Sequence, residues 1–213
     1  MTLLPEPLKR LVDRLSKLPS IGPRQATRLV FHLIGRGENS IRGLASDLDD
    51  LRKIKICERC FFVHQNSGSP RNSTELSLRG SLCDICANKN RDQKIIMVVE
   101  KETDLLSLEK TNKFSGRYFI LGAIHKTGIL EEWQKLRLEN LKKFIQKELE
   151  SEAEEIILAF NPTSQGDYNA SLIVKELKPF AKKISRLGRG LPVGGEIEFA
   201  DDETLGSALE RRS

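Results

Sequence analysis

The sequence has no long hydrophobic run. Its continuous apolar stretches, such as Ile95–Val99, are far shorter than the roughly twenty residues a membrane helix needs, so no membrane partner is expected. The N-terminus, MTLLPEPLKRLVDRL, carries charges and prolines where a secretory leader needs an apolar core. No targeting segment is expected, and a cytoplasmic location follows. Internal repeats and low-complexity tracts are also absent, which excludes a repeat array. Cysteine is scarce, with four in 213 residues, and a reducing compartment argues against disulfides between them. What is present is ordinary for a folded protein: 38% hydrophobic and 31% charged residues, enough for a real core.

The net charge is small, +5, but unevenly spread. Residues 1–36 hold seven Lys/Arg against two Asp/Glu, whereas the chain from Glu100 onward holds 18 basic and 20 acidic residues. The N-terminal piece is therefore where a polyanion would bind. A solvated helix face explains the same charge, and composition alone leaves both readings open.

Hydrophobic spacing divides the chain into four segments. Leu8, Leu11, Val12 and Leu15 fall at helical intervals, with Pro7 suited to a first turn. Pro19-Ser20-Ile21-Gly22-Pro23 then breaks the chain. A second helix carries Ala26, Leu29, Val30, Leu33 and Ile34, and a third carries Ile41, Leu44, Ala45, Leu48 and Leu51. After the cysteine stretch, strand-like runs at Ile95–Val99, Tyr118–Leu121, Ile156–Phe160 and Ile184–Leu187 alternate with helical patterns at Leu105–Lys110, Trp133–Leu149 and Ala170–Leu177. That alternation predicts βαβ units and a parallel sheet. The last segment is glycine-rich, GRGLPVGGEIEFA, and ends in a short helix, DDETLGSALERR.

All four cysteines lie in two C-x2-C pairs, Cys57/Cys60 and Cys83/Cys86, with 22 residues between the pairs. Two such pairs bring four thiolates to one tetrahedral centre, which predicts one structural zinc per chain. A redox C-x-x-C would stand once, at a strand-to-helix junction. Closing a loop of 22 residues rather than eight costs only about 1 kcal/mol more. Structural zinc contributes about 10–16 kcal/mol in small peptides, so the ion wins. The loop 61–82, with Arg71 and Arg79, reads as a solvated excursion, either inert or in touch with a partner. His64 is a competing ligand, but four thiolates already complete the site and leave no open position for catalysis.

In LPSIGPRQATRLVFHL, two apolar helices join through an Ile-Gly-Pro turn. Gly22 lets the backbone approach a phosphate, the helix from Pro23 aims unpaired N–H groups at it, and Arg24 and Arg28 flank it. This stretch resembles a helix-hairpin-helix motif, which holds nucleic acid by its backbone. An ordinary two-helix turn with surface arginines is the alternative. His32 is expected to be packed within the second helix.

The acidic half places Glu100 after the first strand, and Asn161, Thr163, Gln165 and Asp167 after a later one, at the crevice where parallel sheets bind ligands. This half is similar to the Toprim fold of topoisomerases and primases, where a glutamate and an Asp-x-Asp pair hold magnesium. At the two matching aspartate positions stand Asn161 and Thr163, both neutral. Glu100, even with Asp167 near it, is a poor two-metal site. Protein docking is therefore the expected role of Glu100, Asn161 and Asp167, and no catalytic residue is assigned.

Hairpin, cysteine pairs, Toprim-like half and the tail GLPVGGEIEFADDETLGSALERR, in this order, resemble the RecR family of bacterial recombination mediators over nearly the whole chain. The resemblance implies a multidomain α/β protein. Residues 1–53 would be a helix-hairpin-helix DNA-binding domain, 54–91 a zinc finger with a long inserted loop, 92–187 a Toprim domain, and 188–213 a tail for subunit contacts. It implies a DNA-repair factor without turnover that works with RecO and RecF to load a recombinase onto gapped single-stranded DNA. It further implies a homotetrameric ring and DNA contacts at Arg24 and Arg28. Three departures stand out: the long zinc loop, Gln165 in place of an acidic docking residue, and GAIHKTGILEEWQ, which sets His125 in a segment where the family has a glycine-rich turn. A Toprim nuclease or primase-like enzyme is the alternative function. A pure protein-interaction module, with Arg24 and Arg28 against acidic protein surfaces, is a third.

Overall fold

The computed structural model describes residues 4–65, 82–125, 128–210 and 212. Arg71 and Arg79 of the expected loop lie outside the described residues. The chain divides into two compact units, Met1–Ile54 and Lys55–Ser213.

The first unit is three helices: α1 (Glu6–Leu15), α2 (Pro23–Gly35) and α3 (Glu38–Asp50), followed by a 3₁₀ turn at Leu51–Lys53. Pro7 and Pro23 each stand in a first turn, where a missing N–H costs nothing. Gly37, at φ +84°, supplies the left-handed step between α2 and α3. Only Ala26 and Val30 are fully buried among the described residues of this unit. Phe31, Ile34, Ile41, Leu44, Leu48 and Leu51 remain exposed. The spacing of α3 is amphipathic as expected, yet among the described residues of this unit its apolar face is left exposed. His32 departs from expectation: it sits on the exposed side of α2, because Ala26 and Val30 turn the opposite face inward.

The second unit is built on a four-stranded parallel sheet in the order β4-β3-β5-β6, with β3 at Ile95–Val99, β4 at Arg117–Ile120, β5 at Ala153–Ala159 and β6 at Ala181–Arg186. Ile96 pairs with Arg117 on one side and Ile156 on the other, and Ile156 pairs onward with Ile184. The two central strands are covered on both faces, which explains their near-continuous apolar sequences. α6 (Glu132–Glu148) and α7 (Ser164–Leu177) cover one face, burying Leu138, Leu141, Ile145 and Ile173 against Ile96, Val98, Phe119 and Ile156. α5 (Glu102–Glu109) covers the other through Leu105, against Met97, Val99, Tyr118 and Ile120. β5 and α7 begin earlier than their apolar runs suggest, since Ala153 adds to the strand and Thr163 caps the helix before its first apolar position.

Ahead of the sheet, β1 (Ile54–Ile56) and β2 (Val63–Gln65) form a two-stranded ribbon, and α4 (Asp84–Ala87) is a single turn. Phe61 and Phe62, between the ribbon strands, pack against the main sheet's clusters. Phe61 meets Phe119 edge-on with centroids 5.5 Å apart. After β4, Gly122 adopts φ +99° against the Trp133 ring, and the buried Gln134 donates to the carbonyls of Gly122 and Ala123 at 3.2 and 3.1 Å. His125 lies 2.7 Å from the Glu131 carboxylate, so its unfamiliar setting is an exposed polar contact. The tail continues through a 3₁₀ turn at Ile197–Phe199 to α8 (Asp202–Glu210), leaving Val193, Ile197, Phe199 and Leu209 exposed. Among the described residues, no helix is long and apolar enough to cross a membrane.

Candidate functional site

Gly22 is the N-cap of α2, with φ −82° and ψ 166°. That is backbone any residue adopts, and a Cβ built there meets nothing within 4 Å. The fold itself therefore makes no demand for glycine at this position. What glycine preserves is open access to the end of the helix from outside. The Gly22 carbonyl accepts from Ala26 N at 2.9 Å, while the N–H groups of the first turn face out with the positive end of the helix dipole. Arg24 and Arg28 are exposed, one turn apart, and neither forms an ion pair among the described residues. Both guanidinium groups are free to meet an anion.

The four cysteines converge although the chain separates them. The first knuckle is fixed by Cys57 N donating to Phe62 O at 2.8 Å and Phe61 N donating to Cys57 O at 3.0 Å. Phe61 takes φ +62° to close that turn. The second is the start of α4, where Ala87 N donates to Cys83 O at 2.9 Å. All four thiols are free, buried, and within 4.8 Å of one another, with Cys60 and Cys83 Sγ 3.4 Å apart. Zinc–thiolate bonds of about 2.3 Å in a tetrahedron require sulfurs about 3.8 Å apart, so the donor set fits the ion. Side-chain hydrogen bonds with Cys60, Cys83 and Cys86 push the Cys57 thiol down, and the bond with Cys57 comes first in pushing Cys60 up. His64 stands outside the cluster, its Nε2 buried without a hydrogen-bond partner among the described residues.

The third feature is the crevice at the carboxyl ends of β3 and β5, where the strand order reverses. Glu100 is buried there and accepts a hydrogen bond of 3.1 Å from Asn161 Nδ2. Thr163 is the N-cap of α7, its Oγ1 accepting from Gly166 N at 3.0 Å. The two neutral residues at the Toprim aspartate positions thus have structural tasks: one satisfies Glu100 and the other starts a helix. Asp167 is held by the guanidinium groups of Arg189 and Arg186, the latter at 2.5 Å, and Arg189 reaches on to Glu203 at 3.0 Å. The hydrogen bond from Arg189 comes first in keeping the Asp167 carboxyl below its ordinary value, with Arg186 adding to it. Among the described residues, the cysteines alone bring three or more His, Cys, Asp or Glu ligand atoms together, so the crevice residues do not fit a magnesium pair. Sequence reasoning missed Arg186 and Arg189. Their one signal is the charge pattern SRLGR beyond the last strand, which does not say which acid they reach.

Comparison with known proteins matches three family models along the chain: RecR, helix-hairpin-helix, at residues 8–52; Toprim domain at 94–188; and RecR, C-terminal, at 190–213. Similar curated proteins carry the name Recombination protein RecR. That of Chloroflexus aurantiacus is 38% identical, covering 99% of this chain and 95% of its own. That of Rippkaea orientalis is 37% identical over 97% and 96%, and that of Roseiflexus castenholzii 35% over 100% and 96%.

Proposed function

The chain belongs to the RecR family of recombination proteins, and from that membership we propose that it is a DNA-binding mediator of recombinational repair without turnover of its own. The observation that carries this reading is the hairpin. A glycine that the fold does not need caps an open helix N-terminus, followed on the same helix by two exposed arginines without acidic partners among the described residues. Gly22 admits the phosphate, the α2 N–H groups receive it, and Arg24 and Arg28 neutralise its neighbours. Such contacts hold DNA without reading its sequence. Family membership supports action with RecO and RecF in loading a recombinase onto gapped single-stranded DNA in the cytoplasm.

Cys57, Cys60, Cys83 and Cys86 would hold one zinc whose contribution is structural: it ties the ribbon and α4 into one finger. Glu100, Asn161 and Asp167 would serve partner docking, and the pairing of Glu100 with Asn161 supports docking over metal-dependent strand cleavage. Residues 1–53, 54–91, 92–187 and 188–213 would act as DNA-binding domain, finger, docking domain and subunit-contact tail. The uncovered apolar faces of α3 and of the tail suit exchange between subunits of a ring tetramer.

The test is fluorescence anisotropy with labelled gapped DNA across a salt series, with zinc counted per chain. Sequence-independent, salt-sensitive binding is expected. No binding at low salt removes the proposed function, and cleavage or synthesis with magnesium that depends on Glu100 replaces it with an enzyme.

A further inference from the structure

The described arginines of the second unit nearly all have acceptors. Arg91 reaches Glu109 and the Gly116 carbonyl, Arg137 donates to Ile120 O at 3.1 Å, and Arg186 and Arg189 hold Asp167. Arg117 and Arg59 are the exceptions. Arg117 stands on β4 beside the apolar face of the sheet, 6% exposed, and its Nε is buried without an acceptor. Its guanidinium lies 4.8 Å from the ring centroid of Phe144 on α6. Arg59, half-buried in the first knuckle, lies over the same ring at 5.7 Å. Neither makes a hydrogen bond or ion pair with another described residue. With Ile96, Phe119, Leu141 and Phe144 they line a recess of about 20 Å³.

Two guanidinium groups brought together in an apolar wall repel each other, and no anion among the described residues bonds either of them to offset their desolvation. Burial, and then Arg59, hold Arg117 below its ordinary proton affinity; Cys86, Glu148 and Cys60 pull the other way without bonding it. We propose that this recess receives a carboxylate, the side chain of an aspartate or glutamate on an acidic segment of a partner protein. The space accommodates about one water-sized group, which suits the planar tip of a carboxylate and not a tetrahedral phosphodiester with its sugars. The guanidinium fork matches a carboxylate through paired hydrogen bonds. Ile96, Phe119 and Leu141 offer the acid's methylene stem an apolar lining.

The experiment uses the zinc-loaded full chain carrying Arg24→Ala and Arg28→Ala, so that the basic hairpin does not capture the probe. Fluorescein-labelled hexaglutamate is titrated by anisotropy. Arg117→Met and Arg59→Met, which keep an apolar stem, are each expected to weaken binding about tenfold, as loss of a charge-assisted bond does. Arg59→Met, at the rim, gives the same reading if Arg117→Met does not fold. Equal affinity in parent and variants, or no binding by the parent at millimolar peptide, overturns the proposal. A labelled hexathymidylate that binds as tightly and loses affinity in the same variants overturns the carboxylate assignment in favour of phosphate. Loss of zinc from Arg117→Met, with hexaglutamate binding intact in Arg59→Met, makes the guanidinium a counter-charge to the thiolates and also overturns it.

Discussion

Replacing Arg24 and Arg28 with alanine removes two cations from the first turns of α2 and, on this structure, little else. Both side chains are exposed and free of ion pairs among the described residues, so folding stability and helix content should hold. Each phosphate neutralised contributes about 0.9 to the slope of log affinity against log salt on duplex DNA, and about 0.7 on a single strand. Two lost contacts flatten the slope by about 1.8 on duplex or about 1.4 on single strand. Between 50 and 200 mM salt, the advantage of the unmodified chain should therefore shrink about 12-fold on duplex and about 7-fold on single strand. Anisotropy titrations on matched duplex, single-stranded and gapped oligonucleotides measure this directly and report which part of a gap the hairpin holds. Parallel slopes for the two proteins, whatever their absolute affinities, would refute the phosphate contacts assigned to these arginines.

Three further outcomes are expected. Cys83→Ser should lose the one zinc per chain and lower the melting temperature, checked by metal analysis and calorimetry; full zinc retention would remove Cys83 from the ligand set. Gly166→Ala places a Cβ 2.0 Å from the Asn161 carbonyl, so it should cost about 1–3 kcal/mol in denaturant unfolding. Gly190→Ala, where a Cβ meets open space, should be near neutral, and equal effects at both sites would contradict the packing described. Asp167 is depressed in the folded state by Arg189 and Arg186, so its ion pairs stabilise fully above the ordinary carboxylate value of about 4. That stabilisation is lost as pH falls through the depressed value. Asp167→Asn should be less stable than the parent at pH 7, with the gap closing in acid; a gap independent of pH would show that Asp167 acts by packing alone.

The α/β core was legible because its two periods are unambiguous. Ile95–Val99 is too short for a helix and too apolar for a one-sided strand, and Leu138, Leu141, Ile145 and Leu149 mark one helical face that is buried as expected. The C-x2-C pairs were legible because ligand spacing within a knuckle is local. What could not be read depends on contacts between distant elements. The hold of Arg186 and Arg189 on Asp167 requires α7 and the end of β6 to meet, and no local pattern states that. Phe61 looked like part of a polar excursion, yet it packs on Phe119 under Arg137. Ile41, Leu44 and Leu48 have helical spacing that calls for a cover, but spacing does not identify the cover, and among the described residues of their unit they stay exposed.

The bond from Ile120 N to Cys60 O, 2.9 Å long, joins the first cysteine knuckle to the end of β4, an outer strand of the sheet. An outer strand with bare backbone groups is a template on which other chains accumulate. At the opposite border, β6 carries exposed Lys182 and Lys183, charges that discourage such growth. The β4 border has instead a cap whose shape depends on four thiols staying together. With the proposed zinc bound by these thiols, colloidal behaviour should follow metal content. A preparation stripped by chelator or oxidised in storage should then cloud and sediment well before its helices melt, while one kept in reducing, zinc-replete buffer should stay dispersed.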